Sequence, residues 1–125
     1  MPYEVKLLED KGIVVIENKG DLTYDELVKQ SQDAISIIHD KKAHLILTDF
    51  SNVGVDAKIT DIYQFPEIYE QFGLTKMSKI AVLVSAKEVS TEQLTFYENI
   101  CINRGWQIKI FLKKESALEW LEKNE

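Results

Sequence analysis

Apolar and polar positions follow two different periods along this chain, and the switches between them lay out its elements. Tyr3, Val5 and Leu7 alternate with Glu4 and Lys6, the pattern of a strand with one face partly wet. Glu9-Asp10-Lys11-Gly12 is a turn, in which Gly12 supplies the positive φ that tight hairpins require. Ile13-Val14-Val15-Ile16 then runs apolar without alternation, as a strand covered on both faces does. The opening is therefore expected to be an antiparallel hairpin with its first strand nearer the edge.

Helical spacing takes over next. Thr23-Tyr24-Asp25-Glu26 forms a capping box, and Leu27, Ser31, Ala34, Ile35 and Ile38 fall on one helical face behind it. A turn at Asp40-Lys41-Lys42 leads into a third apolar strand, Leu45 to Phe50. From Asp56 to Phe72 the period is helical again, carried by Ile59, Ile62, Tyr63, Ile68, Tyr69 and Phe72. Pro66 should interrupt or kink that helix, because it donates no amide, and Gly73 should stop it. Lys79 to Val84 is the fourth strand. Ser90-Thr91-Glu92-Gln93 opens a helix with Leu94, Tyr97 and Cys101 on one face and Gly105 as terminator. Gln107 to Leu112 is the fifth strand. The closing helix starts near Ser116 or already at Lys113, and it places Ala117, Trp120 and Leu121 on one face. That helix is expected to dock by burying the Trp120 indole.

Two buried-type strands separated by a helix need a crossover, which makes a parallel, right-handed βαβ unit. The predicted fold is α/β, a mixed five-stranded sheet opening with an antiparallel hairpin and continuing in βα units, with about four helices. One domain spanning residues 1–125 accommodates it, a length that buries roughly two-thirds of the unfolded surface.

Charge and cysteine content narrow the partners. Fifteen Lys and Arg against twenty-one Asp and Glu leave a net charge of −6, which works against nucleic-acid binding through phosphate neutralisation. The apolar runs are only a few residues long, so no membrane span is expected. Met1-Pro2-Tyr3-Glu4 lacks the basic and apolar regions of a signal peptide, and Cys101 is the one cysteine. Both fit the reducing cytoplasm.

The hairpin ending Gly12-Ile13-Val14-Val15-Ile16 and the helix start Leu22-Thr23-Tyr24-Asp25-Glu26-Leu27 carry a family likeness. So do Ile46-Leu47-Thr48-Asp49-Phe50-Ser51, Lys79-Ile80-Ala81-Val82-Leu83-Val84, Tyr97-Glu98 with Gly105, and Phe111 followed by Ala117-Leu118-Glu119-Trp120-Leu121. Together they resemble the SpoIIAA-like branch of the STAS family, the anti-sigma-factor-antagonist fold, which also includes lipid-carrier relatives. The resemblance covers nearly the whole chain. It implies a bacterial regulatory protein that works through a partner at the turn after the third strand and the helix start beyond it. In antagonists of that type an Asp-Leu-Ser-like turn leads to an Asp-Ser-Ser-Gly-like phosphorylation site. The turn is present as Asp49-Phe50-Ser51, but Val55-Asp56-Ala57-Lys58-Ile59 holds Ala57 and Lys58 where the serines should be. The phosphoserine switch is therefore expected to be absent, leaving Ser51 and Thr60 as the hydroxyls of the region. A receiver-like reading of Asp49, Ser85 and Lys113 fails for want of carboxylates, since Glu17-Asn18 supplies one where hard-cation binding needs more.

No cofactor, metal site or catalytic set is expected. His39 and His44 sit five apart without further ligands and read as solvated loop residues, while Cys101 reads as a small buried hydrophobe. The segment from Ile59 to Leu74 holds more apolar side chains than one face of a short helix can bury, with Phe65 and Pro66 off its stripe. The working surface is accordingly expected at Asp49, Ser51, Asp56, Tyr63, Phe65, Tyr69 and Phe72. Two functions fit it. One is a non-catalytic protein-interaction or regulatory module, acting on a protein partner or by self-association as a homodimer. The other is a carrier or sensor of a small apolar or lipid-like ligand.

Overall fold

The computed structural model describes residues 3–8, 10–19, 24–41, 44–49, 51, 65–74, 76–84 and 91–123. Among them run β1 (Tyr3–Leu8), β2 (Ile13–Asn18), α1 (Tyr24–Lys41), β3 (Leu45–Asp49), α2 (Phe65–Gln71), β4 (Lys79–Leu83), α3 (Thr91–Asn103), β5 (Gln107–Phe111) and α4 (Lys114–Glu122). The strands form one sheet in chain order, β1-β2-β3-β4-β5. β1 pairs antiparallel with β2, and every later pairing is parallel. The mixed five-stranded α/β sheet expected from the sequence is the observed one.

Sequential strand order with right-handed crossovers puts the connecting helices on one face. The packing agrees. Val14, Ile16, Ile46, Ile80, Val82 and Ile108 point to that face and meet Ala34, Ile35 and Ile38 of α1 and Cys101 of α3. The opposite face carries Ile13, Val15, Leu47, Ala81 and Leu83, and α4 folds back across it to seat Ala117 and Leu121. A sheet covered on both sides explains why the parallel strands read as apolar runs without alternation.

The glycine stops act as their spacing implied. Gly105, at φ 91°, closes α3: its amide bonds to the Ile102 carbonyl at 2.9 Å, and the Trp106 amide bonds to that of Cys101 at 2.9 Å. Gly73, at φ 82°, ends α2 the same way, with Gly73 N to Glu70 O at 3.2 Å and Leu74 N to Tyr69 O at 2.9 Å. Both are Schellman closures, which need a residue at ease with positive φ.

Pro66 is the second residue of α2, where a missing amide costs little because first-turn donors have no partner in the helix, so no kink falls within α2. The expected helix over 56–64 lies outside the described residues. Pro66 is also fully buried, so it belongs to the core and not to an apolar excess on the surface. Finally, α4 docks chiefly through Ala117 (0% exposed) and Leu121 (1%), whereas Trp120 is only half-buried. The helix begins at Lys114 with Lys113 as its N-cap and no side-chain capping bond, so Ser116 does not cap it.

Candidate functional site

β3 delivers Asp49 to the carboxyl edge of the parallel strands, the edge where α/β sheets tend to hold their ligands and partners. There the Asp49 carboxylate turns back on its own chain. Its Oδ1 accepts the Ser51 amide at 2.8 Å and the Ser51 hydroxyl at 2.5 Å, a side-chain turn that fixes the exit from β3. The Asp49 carbonyl is held from the other side by Asn18 Nδ2 at 2.9 Å. Asn18, at the end of β2, accepts in turn from Gln30 Nε2 of α1. Asn18 and Gln30 are each 3% exposed, so this is a buried polar relay linking α1, β2 and the turn after β3. Buried amides are tolerated only when paired, and here each is.

Beside Asp49 in register stands Glu17 of β2. Its Oε1 lies 3.4 Å from the Lys6 ammonium, which is also 4.0 Å from Glu4. Among the described residues no group of three His, Cys, Asp or Glu side chains could hold a metal ion. His39 lies in the last turn of α1 and not in a loop; its Nε2 is 2.8 Å from the Gly73 carbonyl. His44 offers its carbonyl to the Lys79 amide at 2.7 Å. Each histidine thus ties the lower ends of neighbouring elements together. Cys101 is fully buried in the first core, as its helix face implied.

The sequence-expected surface residues do not all share one place. Asp49 and Ser51 meet at the carboxyl edge. Tyr69 and Phe72 are half-buried and pack on the first core, with the Tyr69 ring edge-on to Trp106 at 5.5 Å between centroids. Phe72 directly precedes Gly73, whose carbonyl meets His39 at the foot of α1, so Phe72 sits toward the opposite end of the sheet from Asp49. Phe65 opens α2. Asp56 and Tyr63 lie outside the described residues. Sequence reasoning missed Gln30 and weighed Asn18 only as part of a cation-binding pair, not as a link to Asp49. Their only local signal is a polar residue closing the apolar run of β2 and a Gln one residue ahead of Ser31 on α1.

No family model matches the chain, and no curated protein shows significant sequence similarity to it. Solved structures do match its fold. An uncharacterized DUF3478-family protein with a SpoIIAA-like fold from Shewanella loihica PV-4 superposes with a TM-score of 0.60 at 16% identity, over 95% of this chain and 91% of that one. The anti-sigma factor antagonist SpoIIAA in its unphosphorylated form gives 0.57 at 14% identity, over 98% of this chain and 99% of that one. The phosphorylated form of SpoIIAA, described as a Bacillus cell fate determinant, gives 0.54 at 14% identity, over 94% and 97%. The chain therefore has the SpoIIAA-like, STAS-like fold. No helix among the described residues is long and apolar enough to cross a membrane.

Proposed function

We propose that this protein is a non-catalytic interaction module of STAS-like type whose partner surface is centred on the turn at Asp49 and Ser51. The observation that carries the reading is the pair of hydrogen bonds that Ser51 donates, through amide and hydroxyl, to one oxygen of Asp49, backed by the buried Asn18–Gln30 relay. A rigid, prearranged turn lowers the ordering cost of association without supplying chemistry. The fold likeness to an anti-sigma factor antagonist supports a protein partner. Ala57 and Lys58 replace the expected serines, so binding is set by the resident surface and not by a kinase. The burial of Pro66 and Ile68 and the packing of Tyr69 and Phe72 on the core supply a structural role for much of the aromatic segment, which weakens the case for an oily ligand.

The test is a photo-crosslinking residue placed at Ser51, with a matched control at the exposed Leu112 beyond β5. A discrete protein adduct formed from position 51 and absent from 112 supports the module. A co-purifying molecule of small-molecule size in native mass spectrometry, with no protein adduct, supports a ligand carrier instead.

A further inference from the structure

The sheet has two edges, and they are treated differently. On the β5 side the Glu98 carboxylate of α3 accepts the Ile110 amide at 3.1 Å, so a helix side chain occupies a donor that a sixth strand would need. On the β1 side no strand or capping side chain among the described residues takes the outer backbone groups. An open edge is a template for another strand, and natural sheets ordinarily block it. Beside this edge runs a cleft of about 530 Å³ lined by Tyr3, Glu4, Val5, Lys19, Asp33 and Ile37.

We infer that this edge pairs with β1 of a second copy of the chain, antiparallel about a two-fold axis at Val5, making one continuous ten-stranded sheet. The register follows from charge. Side chains of β1 alternate, with Tyr3, Val5 and Leu7 toward the α1 face and Glu4 and Lys6 on the other. A two-fold axis perpendicular to the sheet keeps each face continuous, so the residues paired across it must share a face. Centring the axis on Glu4 or on Lys6 sets like charges directly opposite, which opposes pairing. Centring it on Val5 sets Glu4 against Lys6 of the second copy twice over, with Val5 on Val5 and Tyr3 on Leu7. The apolar members then fall on the side of the cleft. Glu4 and Lys6 side chains are 55% and 48% exposed, so both remain available to a partner. This surface is separate from the turn at Asp49 and does not depend on the function proposed for that turn.

The expected result is a dimer of the wild-type chain that dissociates on dilution, read by light scattering and analytical ultracentrifugation. Glu4→Lys and Lys6→Glu should each be monomeric, because each variant faces itself with two like-charge pairs. Mixing the two should yield a heterodimer, in which both lysines of the first variant face both glutamates of the second. The double exchange, Glu4→Lys with Lys6→Glu, should restore the homodimer. Its introduced lysine also faces Glu17 across the hairpin, which favours folding. Wild type that stays monomeric throughout the series, or folded single variants that do not combine, would overturn the proposal. Should a single variant fail to fold, wild-type hydrogen exchange decides: amides of Tyr3–Leu8 must gain protection as concentration rises, and concentration-independent exchange there refutes the pairing.

Discussion

The Lys79 ammonium lies 4.5 Å above the centre of the Trp120 indole and donates a 2.6 Å hydrogen bond to the carbonyl of the same residue. It also reaches the Lys123 carbonyl at 3.3 Å. One side chain at the start of β4 therefore caps the last turn of α4, neutralises the negative end of that helix and covers its aromatic face. The same end of α4 is tied to the β1–β2 turn by Lys11 and Glu122 at 3.2 Å, an exposed pair of small worth.

Replacing Lys79 with Met keeps the stem and removes the charge and donors. The terminal carbonyls of α4 then lose their partner, and the expected loss is about 1–2 kcal/mol by chemical denaturation. Hydrogen exchange should place the effect in 118–123 first. An unchanged midpoint would mean that water satisfies those carbonyls equally well.

Leu121→Ala and Trp120→Ala rank the anchors of α4. Leu121 is wholly enclosed by the second core, so its truncation should cost about 2–5 kcal/mol, as buried Leu truncations do. Trp120 is half-buried against Phe111, its ring 5.8 Å away, so its truncation should cost less, about 2 kcal/mol, part of it through Lys79. The reverse order would show that the indole, and not Leu121, holds the helix.

The strands are legible in the sequence because burial on both faces writes itself as short apolar runs such as Ile13–Ile16 and Ile80–Val84. The glycine stops are legible because positive φ selects glycine. The start of α2 is not, since a proline signals a break from sequence alone and becomes a start only once its place in the helix is known. The polar site is legible in part. Asp49 and Ser51 are two residues apart and form a local turn, whereas Asn18, Gln30 and Asp49 meet only through the β2–α1–β3 crossover. Lys79 and Trp120 are forty-one positions apart, and no local pattern announces such a cap.

The relay itself is testable by a pairwise cycle. Asn18→Leu leaves the buried Gln30 amide without a partner, at about 1–3 kcal/mol, and takes one hydrogen bond from the part-buried Asp49 carbonyl. Gln30→Leu with Asn18→Leu removes both side-chain amides of the relay together and leaves only the Asp49 carbonyl behind, so the double variant should lose less than the sum of the singles. Additive losses would mean that the two side chains act independently. Crosslinking from position 51 should weaken in Asn18→Leu if the relay holds the turn in its binding shape.

Tyr3 provides a prediction in pH. Its hydroxyl donates to the Asp33 carboxylate of α1, and the phenol is pushed up from about 10 to about 12. The bond to Asp33 is the main cause, followed by burial and by repulsion between a phenolate and the carboxylate. A folded-state value above the unfolded one means that the fold holds the proton more tightly. The stabilisation is therefore complete below about pH 10 and is lost as pH rises toward and through about 12. Tyr3→Phe cannot make the bond and should cost about 1–2 kcal/mol at neutral pH. Other groups titrate in the same alkaline range, so the informative quantity is the stability of wild type minus that of Tyr3→Phe at each pH. That difference should be flat up to about pH 10 and shrink above it, and a difference that stays flat to pH 12 would show that Tyr3 and Asp33 are not coupled in the folded protein.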